Sequence, residues 1–326
     1  MPASGGSPAT RRDPPRVIAV VVTYNRLALL LEALAAVHAQ SRVPDATIVV
    51  DNASTDQSAA AVRQHFPSVQ LAELARNTGG AGGFACGTAL ALAAGADLIW
   101  LMDDDTVPEP DALRAMLDAR ARYPGRPATL IASRVLWTDG RAHPMNTPRT
   151  KPLATKAELL AAAAAGCLPI RSASFVSILV DASACRRRGL PQADYFLWND
   201  DFEFTARLLR GNVGLLCPAS VVVHKTATFG STDLDPGQRF FYEVRNKIWM
   251  FKARSPLAPL ERVLYTGSTL RRWARTFMRS RDRGALGLAL VRGIAAGIRT
   301  SPRPNQEVLA AAGQDAAAVT RSPRGS

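Results

Sequence analysis

Residues 17–26 read VIAVVVTYNR: six consecutive apolar residues that stop at Thr23-Tyr24-Asn25. A short apolar run closed by a polar turn is the pattern of a strand buried on both faces, as in a parallel sheet. Immediately after it, Leu27, Leu30, Leu31 and Leu34 recur at helical spacing. Thr47–Val50 reads as a second buried strand. It ends at Asp51, and Ser54-Thr55-Asp56 can cap the helix that follows. Val69–Leu71 predicts a short third strand and Phe84–Ala94 an Ala- and Leu-rich helix. Asp97–Met102 predicts a fourth strand that runs into Asp103-Asp104-Asp105. This alternation predicts an α/β fold with a doubly wound, mostly parallel sheet.

In such sheets ligands bind beyond the carboxyl ends of the strands. Three polar clusters lie at those ends: Thr23-Tyr24-Asn25-Arg26, Asp51-Asn52 and Asp103-Asp104-Asp105. The topology brings them together although 80 residues separate Thr23 from Asp103.

The second half is less regular. Thr129–Trp137 followed by Asp139-Gly140 suggests a hairpin. Thr155 and Glu158 have the spacing of a capping box. Ser174–Val180 reads as a strand, and Asp200–Arg210 as a helix stopped by Gly211. Val213–Leu216 and Val221–Val223 are strand-like, and from Gln238 onward the chain is mainly helical and basic.

Composition bounds the function. The chain has 326 residues, 47% hydrophobic, enough for a substantial core. The best candidate for a membrane span, Gly284–Ile298, has 15 residues and carries Arg292, whereas a span needs about 20 apolar residues. Cys86, Cys167, Cys185 and Cys217 are scattered without CxxC spacing, which argues against a zinc knuckle or disulfide framework and fits a reducing cytoplasm. The net charge is +13, and residues 261–300 hold nine Arg against two acids. Nucleic acid, an anionic membrane surface and anionic substrates would all suit this excess. The chain lacks a zinc-finger or RNA-binding aromatic signature, and the basic excess lies outside the α/β part, so nucleic acid is disfavoured. Leu270–Met278 mixes Arg271, Arg272 and Arg275 with Trp273 and Phe277. That mixture suits an amphipathic helix on anionic lipid, and equally a solvated helical face.

The acid triplet is the strongest chemical signal. In extended backbone Asp103 and Asp105 point to one side, where two carboxylates can hold Mg²⁺ or Mn²⁺ and leave room for phosphate oxygens. A solvated acidic turn ahead of Pro108 and Pro110 is the competing account. Residues 77–83, NTGGAGG, form a glycine-rich bend opening a helix, suited to close approach of an anion. They match neither a Walker A loop nor the dinucleotide fingerprint, and a plain flexible loop would read the same. Asp200 and Asp201 open a helix beside Tyr195, Phe196 and Trp198, aromatics that suit either a sugar platform or the core. His224 ends an apolar run ahead of a polar loop, as a structural histidine or as a third ligand to the metal of Asp103 and Asp105.

Taken in order, VVVTYNR (20–26), VVDNASTD (49–56), RNTGGAGGFACG (76–87), WLMDDDTVPEP (100–110), WNDDFEF (198–204) and VVH (222–224) resemble family 2 inverting glycosyltransferases of the GT-A fold. The resemblance covers about residues 16–250. With NTGGAGGFA, the full DDD and PGQRFFYEVRN (236–246), the chain looks most like actinobacterial galactofuranosyltransferases of cell-wall galactan synthesis. Rhamnosyltransferases share much of the pattern.

The resemblance implies roles. Thr23 and Asp51 would contact the nucleoside, and Arg76 and Asn77 would hold the donor. Asp103, Asp105 and His224 would bind the metal that bridges the diphosphate, and Asp104 would face the donor. Asp201 would be the base that deprotonates the acceptor hydroxyl, with the adjacent Asp200 as a rival. A nucleotidyltransferase also gathers acids around a metal at strand ends, but lacks the Asp201 and His224 motifs.

The implied organisation is a nucleotide-sugar half at 16–130, an acceptor half at 131–235 and a basic helical region at 236–300. Disordered tails are expected at 1–15 and 301–326. The expected partners are a nucleotide-sugar donor and a polyprenyl-linked or polysaccharide acceptor, met by a cytoplasmic enzyme peripheral on the inner face of the plasma membrane.

Overall fold

A computed structural model describes residues 14–229, 236–252 and 256–313. In chain order the first part runs β1 (Val17–Thr23), α1 (Leu27–His38), β2 (Ala46–Asp51), α2 (Ser58–His65), β3 (Gln70–Glu73), α3 (Gly79–Ala93) and β4 (Leu98–Asp103). There follow β5 (Thr106–Pro108), α4 (Ala112–Arg122), β6 (Leu130–Leu136), β7 (Arg149–Thr150), α5 (Lys156–Ala164), β8 (Leu168–Ser172) and β9 (Ser177–Asp181). The chain continues through α6 (Ala182–Arg188), α7 (Asp200–Leu208), β10 (Gly214–His224), α8 (Phe240–Phe251), α9 (Pro259–Arg279), α10 (Arg283–Arg299) and α11 (Asn305–Ala310).

The strands form one sheet in the order β3-β2-β1-β4-β9-β6-β10-β8-β7, with β5 on β10. The β3-β2-β1-β4 half is parallel, as expected. β9 runs antiparallel between β4 and β6, and β6 pairs parallel with β10. All seven residues of β1 are buried, and they divide by parity. Ile18, Val20 and Val22 enter one core with Phe84 of α3; Val17, Ala19 and Val21 enter the other with Leu30, Leu34 and Met116. A period of two with both phases apolar is therefore why the run shows no alternation in sequence.

Three details differ from expectation. The glycine run is the first turns of α3, not a bend ahead of it. A Cβ at Gly83 or Gly87 would overlap Val22 or Val20, so these glycines let α3 lie close on β1. The two strand-like segments at 213–223 are one strand, β10, with a bulge between Cys217 and Val221. Finally, the expected tail from 301 is folded as far as 313. Val308, Leu309 and Ala312 are buried in the α3-side core, and Ala75 N–H donates to Ala312 C=O at 2.9 Å. A short apolar patch flanked by prolines conceals that docking. Residues 1–13 and 314–326 of the expected tails lie outside the described residues.

The basic helices are anchored rather than appended. Buried Arg171 of β8 makes a two-point pair with Glu261 of α9, at 2.6 and 2.9 Å. A Cβ at Gly293 or Gly297 would come within 2.8 Å of Val244 or Ile248, so α10 packs tightly on α8 through small residues. No described helix is long and apolar enough to cross a membrane.

Candidate active site

The carboxyl ends of β1, β2 and β4 meet as the sequence predicts. Thr23 is in register with Asp51 across β1–β2, and Val22 with Asp103 across β1–β4. Thr23 Oγ1 donates to Asp104 Oδ2 at 2.8 Å, and Tyr24 N–H donates to the same oxygen at 3.2 Å. Arg26 Nη1 reaches Asp104 Oδ1 at 3.2 Å and Asp105 Oδ2 at 2.5 Å. Asp104 thus ties the β1 turn to the acid triplet. Asp51 is buried and accepts from Ser54 N–H at 3.2 Å.

His224, at the end of β10, joins the triplet. One ligand atom from each of Asp103, Asp105 and His224 falls within 4.8 Å of the others. The β5–β10 pairing that sets Thr106 opposite His224 brings this about. His224 Nδ1 lies 2.8 Å from Asn146 Oδ1, a contact that fixes Nδ1 as the protonated nitrogen and leaves the Nε2 lone pair facing the acids. Asp105 Oδ1 stands 2.9 Å from Nε2, yet that oxygen is buried without hydrogen-bond geometry to any partner among the described residues. The contact is an ion pair when the imidazole is protonated; with the imidazole neutral, two ligand atoms so crowded fit a shared divalent cation, and two carboxylates with an imidazole suit Mn²⁺ or Mg²⁺.

The electrostatics agree. Burial, then Asp105, pushes Asp103 up to about 7. Burial pushes Asp104 up to about 6 against the pull of Arg26. Burial also opposes ionisation of Asp105, but His224 and Arg26 hold it below the ordinary carboxylate value. Burial would lower His224, but Asp105 and Asp103 raise it. Close acids at one strand end store repulsion that a cation relieves.

Arg76 and Asn77 precede α3 and line a cleft of about 240 Å³ with Tyr242, Arg245 and Arg303. Asn52 clamps this corner: its Oδ1 accepts from Thr78 N–H at 2.8 Å and its Nδ2 donates to Gly79 C=O at 2.7 Å. Gly79 has φ +71°, and a Cβ there would strike the Phe196 backbone. The glycine run is thereby keyed to the loop before α7.

That loop is held in an uncommon conformation. Phe196, Trp198 and Asn199 all have φ near +64° (63°, 64° and 64°). Fully buried Asn246 holds it, its Nδ2 within 3.0 Å of the Tyr195, Leu197 and Trp198 carbonyls. Arg245 adds bonds to Asp194 and Tyr195 C=O. Strain of this kind persists only where surrounding structure imposes it. Asp200 and Asp201 follow at the start of α7. Burial, then Asp201, pushes Asp200 well up, and Asp103 contributes. Burial also raises Asp201, but the Phe202 N–H that it accepts from, then Lys247 and Arg149, pull it back toward ionisation. Of the aromatics left open as platform or core, Tyr195 is core. Phe196 is half-buried, stacks on Tyr242 and lines the cleft.

Sequence reasoning gave no role to Asn146, Asn246 or Lys247. Asn246 lies in the stretch PGQRFFYEVRN, and a polar residue amid the aromatics of an amphipathic helix is the signal that points to it.

This chain belongs to glycosyl transferase family 2, whose profile matches residues 18–162, and it is a glycosyltransferase of the GT-A fold. Its relatives include the galactofuranosyltransferase GlfT1 of Mycobacterium tuberculosis, 32% identical over 254 residues, 69% of this chain and 79% of that protein. GlfT1 of Mycolicibacterium smegmatis is 54% identical over 93 residues, which span 28% of this chain and only 30% of that protein. Among solved structures, S. aureus TarS in complex with UDP is similar with a TM-score of 0.58 at 14% identity, covering 91% of this chain and 83% of that one. The mannosyltransferase PcManGT of Pyrobaculum calidifontis, solved with GDP-Man and Mn²⁺, has a TM-score of 0.50 at 19% identity, covering 91% and 79%. The structural likenesses establish the fold.

Proposed function

We propose that this glycosyltransferase is a divalent-metal-dependent, inverting galactofuranosyltransferase that uses UDP-galactofuranose and extends a lipid-linked cell-envelope glycan. The convergence of Asp103, Asp105 and His224 carries the metal assignment. The relation to GlfT1 carries the donor. The donor half is 16–130, the acceptor half 131–235, and 236–300 the basic helical region.

The acceptor hydroxyl is a weak nucleophile, so a carboxylate takes its proton as it attacks. A base must be ionised at the start, which favours Asp201 over the more strongly raised Asp200. When bound, the cation stabilises charge on the departing diphosphate. Asp103, Asp105 and His224 hold it, with Asn146 fixing the imidazole. Thr23, Asp51, Arg76 and Asn77 bind the nucleotide-sugar, and Asp104 serves the donor side by ordering the β1 turn. Attack opposite the leaving group inverts the anomeric centre.

The membrane surface is the second partner. α9 turns Leu260, Val263, Leu264, Leu270 and Met278 to solvent at helical spacing, with Arg271 among them. An apolar stripe edged by arginine suits the headgroup region of anionic lipid on the inner face of the plasma membrane. Leu264→Glu with Met278→Glu is expected to abolish co-sedimentation with phosphatidylglycerol vesicles; unchanged co-sedimentation removes this role.

A donor panel of UDP-galactofuranose, dTDP-rhamnose, UDP-galactopyranose and UDP-glucose against polyprenyl-linked acceptors tests the main reading. Transfer from UDP-galactofuranose with release of UDP supports it. Transfer only from dTDP-rhamnose would make the enzyme a rhamnosyltransferase, and pyrophosphate release would make it a nucleotidyltransferase.

A further inference from the structure

Lys247 sits in the middle of α8 and is 3% exposed, yet among the described residues its ammonium has neither a hydrogen bond nor an ion pair. Its close contact is with the ring of Phe202, 4.6 Å from the centroid. Arg149 of β7 rests against the same ring at 5.4 Å and against Tyr265 at 5.7 Å. Arg149 likewise has no carboxylate partner among the described residues. The expected partner for Lys247 is Glu243, one turn earlier on α8. That carboxylate is already taken by Arg272, by Asn199 Nδ2 at 2.7 Å and by Trp273 Nε1 at 3.2 Å. The remaining acid is Asp201, immediately before Phe202, on which Lys247 and Arg149 both act. The groups around Lys247 are therefore Glu243 on its own helix, Arg272 on α9, Arg149 on β7 and Asp201 on α7.

An unpaired ammonium on a side chain this buried is costly unless an anion completes it. Burial lowers Lys247 only to about 8, so it stays largely charged at neutral pH. Two cations against one aromatic ring, with Asp201 as the one neighbouring carboxylate left to them, leave an excess of positive charge beside the base. We propose that Lys247 and Arg149 form an anion subsite that receives a phosphate group of the acceptor next to Asp201. This rests on the reading of Asp201 as the base, which sets the start of α7 beside the acceptor. The phosphate is that of a phosphate ester or free inorganic phosphate; either would use the same two cations.

The test is binding of geranyl phosphate, geraniol and inorganic phosphate to the full chain in EDTA, by calorimetry. Geranyl phosphate is expected to bind, geraniol not. Lys247→Gln and Arg149→Gln are each expected to weaken geranyl phosphate about tenfold or more, and Lys247→Arg to restore it to within about threefold. Inorganic phosphate showing the same losses identifies the free anion as sufficient; sensitivity confined to geranyl phosphate identifies the ester. Arg149 is exposed, so its variant remains informative should Lys247→Gln fail to fold. No binding by the wild-type protein, or equal affinity in wild type and Arg149→Gln, overturns the subsite. Because binding is read without sugar transfer, variant-sensitive binding by a chain that transfers no sugar would sink the base assignment and leave the subsite standing. Transfer with variant-insensitive binding would sink the subsite alone.

Discussion

Arg26 Nη1 stands 2.5 Å from Asp105 Oδ2, so the acid triplet already has one counter-charge before a metal is considered. The guanidinium is half exposed, which limits its worth to about 1 kcal/mol. Removing it leaves the acids with more unbalanced charge for a cation to relieve. Arg26→Gln is expected to bind Mn²⁺ about three- to tenfold more tightly by calorimetry. Weaker binding would mean that Arg26 orients Asp105 rather than competing for it.

Metal binding should depend on pH through Asp103. Its carboxyl is raised from 3.8 to about 7 by burial and its neighbours, and it must be ionised to act as a ligand. Mn²⁺ affinity is expected to fall by up to about tenfold per pH unit below about 7 and to level off above it. The metal-free protein should show the reverse trend. A carboxyl whose folded value lies above its unfolded one stabilises the fold most below the unfolded value. That contribution is lost as the pH rises from about 4 toward 7. Thermal shifts with and without Mn²⁺ at pH 5.5 and 8 read both; a metal-induced shift as large at pH 5.5 as at pH 8 contradicts this account.

Asp201 and Asp200 differ in their neighbours, and their variants should differ too. Asp201→Asn is expected to lower kcat roughly a hundred- to ten-thousandfold with donor KM little changed. Asp200→Asn should cost less. The opposite ranking would transfer the base to Asp200.

The loop before α7 offers a test of positioning. Asn246→Ala leaves buried carbonyls of Tyr195, Leu197 and Trp198 without their shared donor. Urea unfolding is expected to show a loss of roughly 2–3 kcal/mol. The transfer rate should fall further than the unfolded fraction accounts for, since Asp201 rides on this loop.

Much of this was legible in the sequence because it is local. β1 and β4 are apolar runs between polar stops, and the clusters at their ends fell into place once the sheet was parallel. What escaped depends on distant pairing. Asn146 and His224 are 78 residues apart and lie in segments with no shared pattern. Asn246 is polar in an aromatic helix, and only its burial reveals three carbonyls around it. The glycine run suggests close approach of an anion, whereas Gly83 and Gly87 serve close packing on Val22 and Val20. The same stretch supplies a stability contrast: Gly83→Ala should cost about 1–3 kcal/mol. Gly80→Ala, with open space around its Cβ, should be neutral or gain up to about 1 kcal/mol.

The docking of α11 bears on how the chain is made. Leu309 and Ala312 complete the core around α3, and Ala312 accepts from Ala75, between β3 and α3. A chain emerging from the ribosome can form β1 through β4 early. It cannot seal that part until α11, some 200 residues beyond β4, has been translated. That part therefore gains its full cohesion only after α11 has been made, and a message cut short after α10 yields a protein whose β1–β4 part remains open.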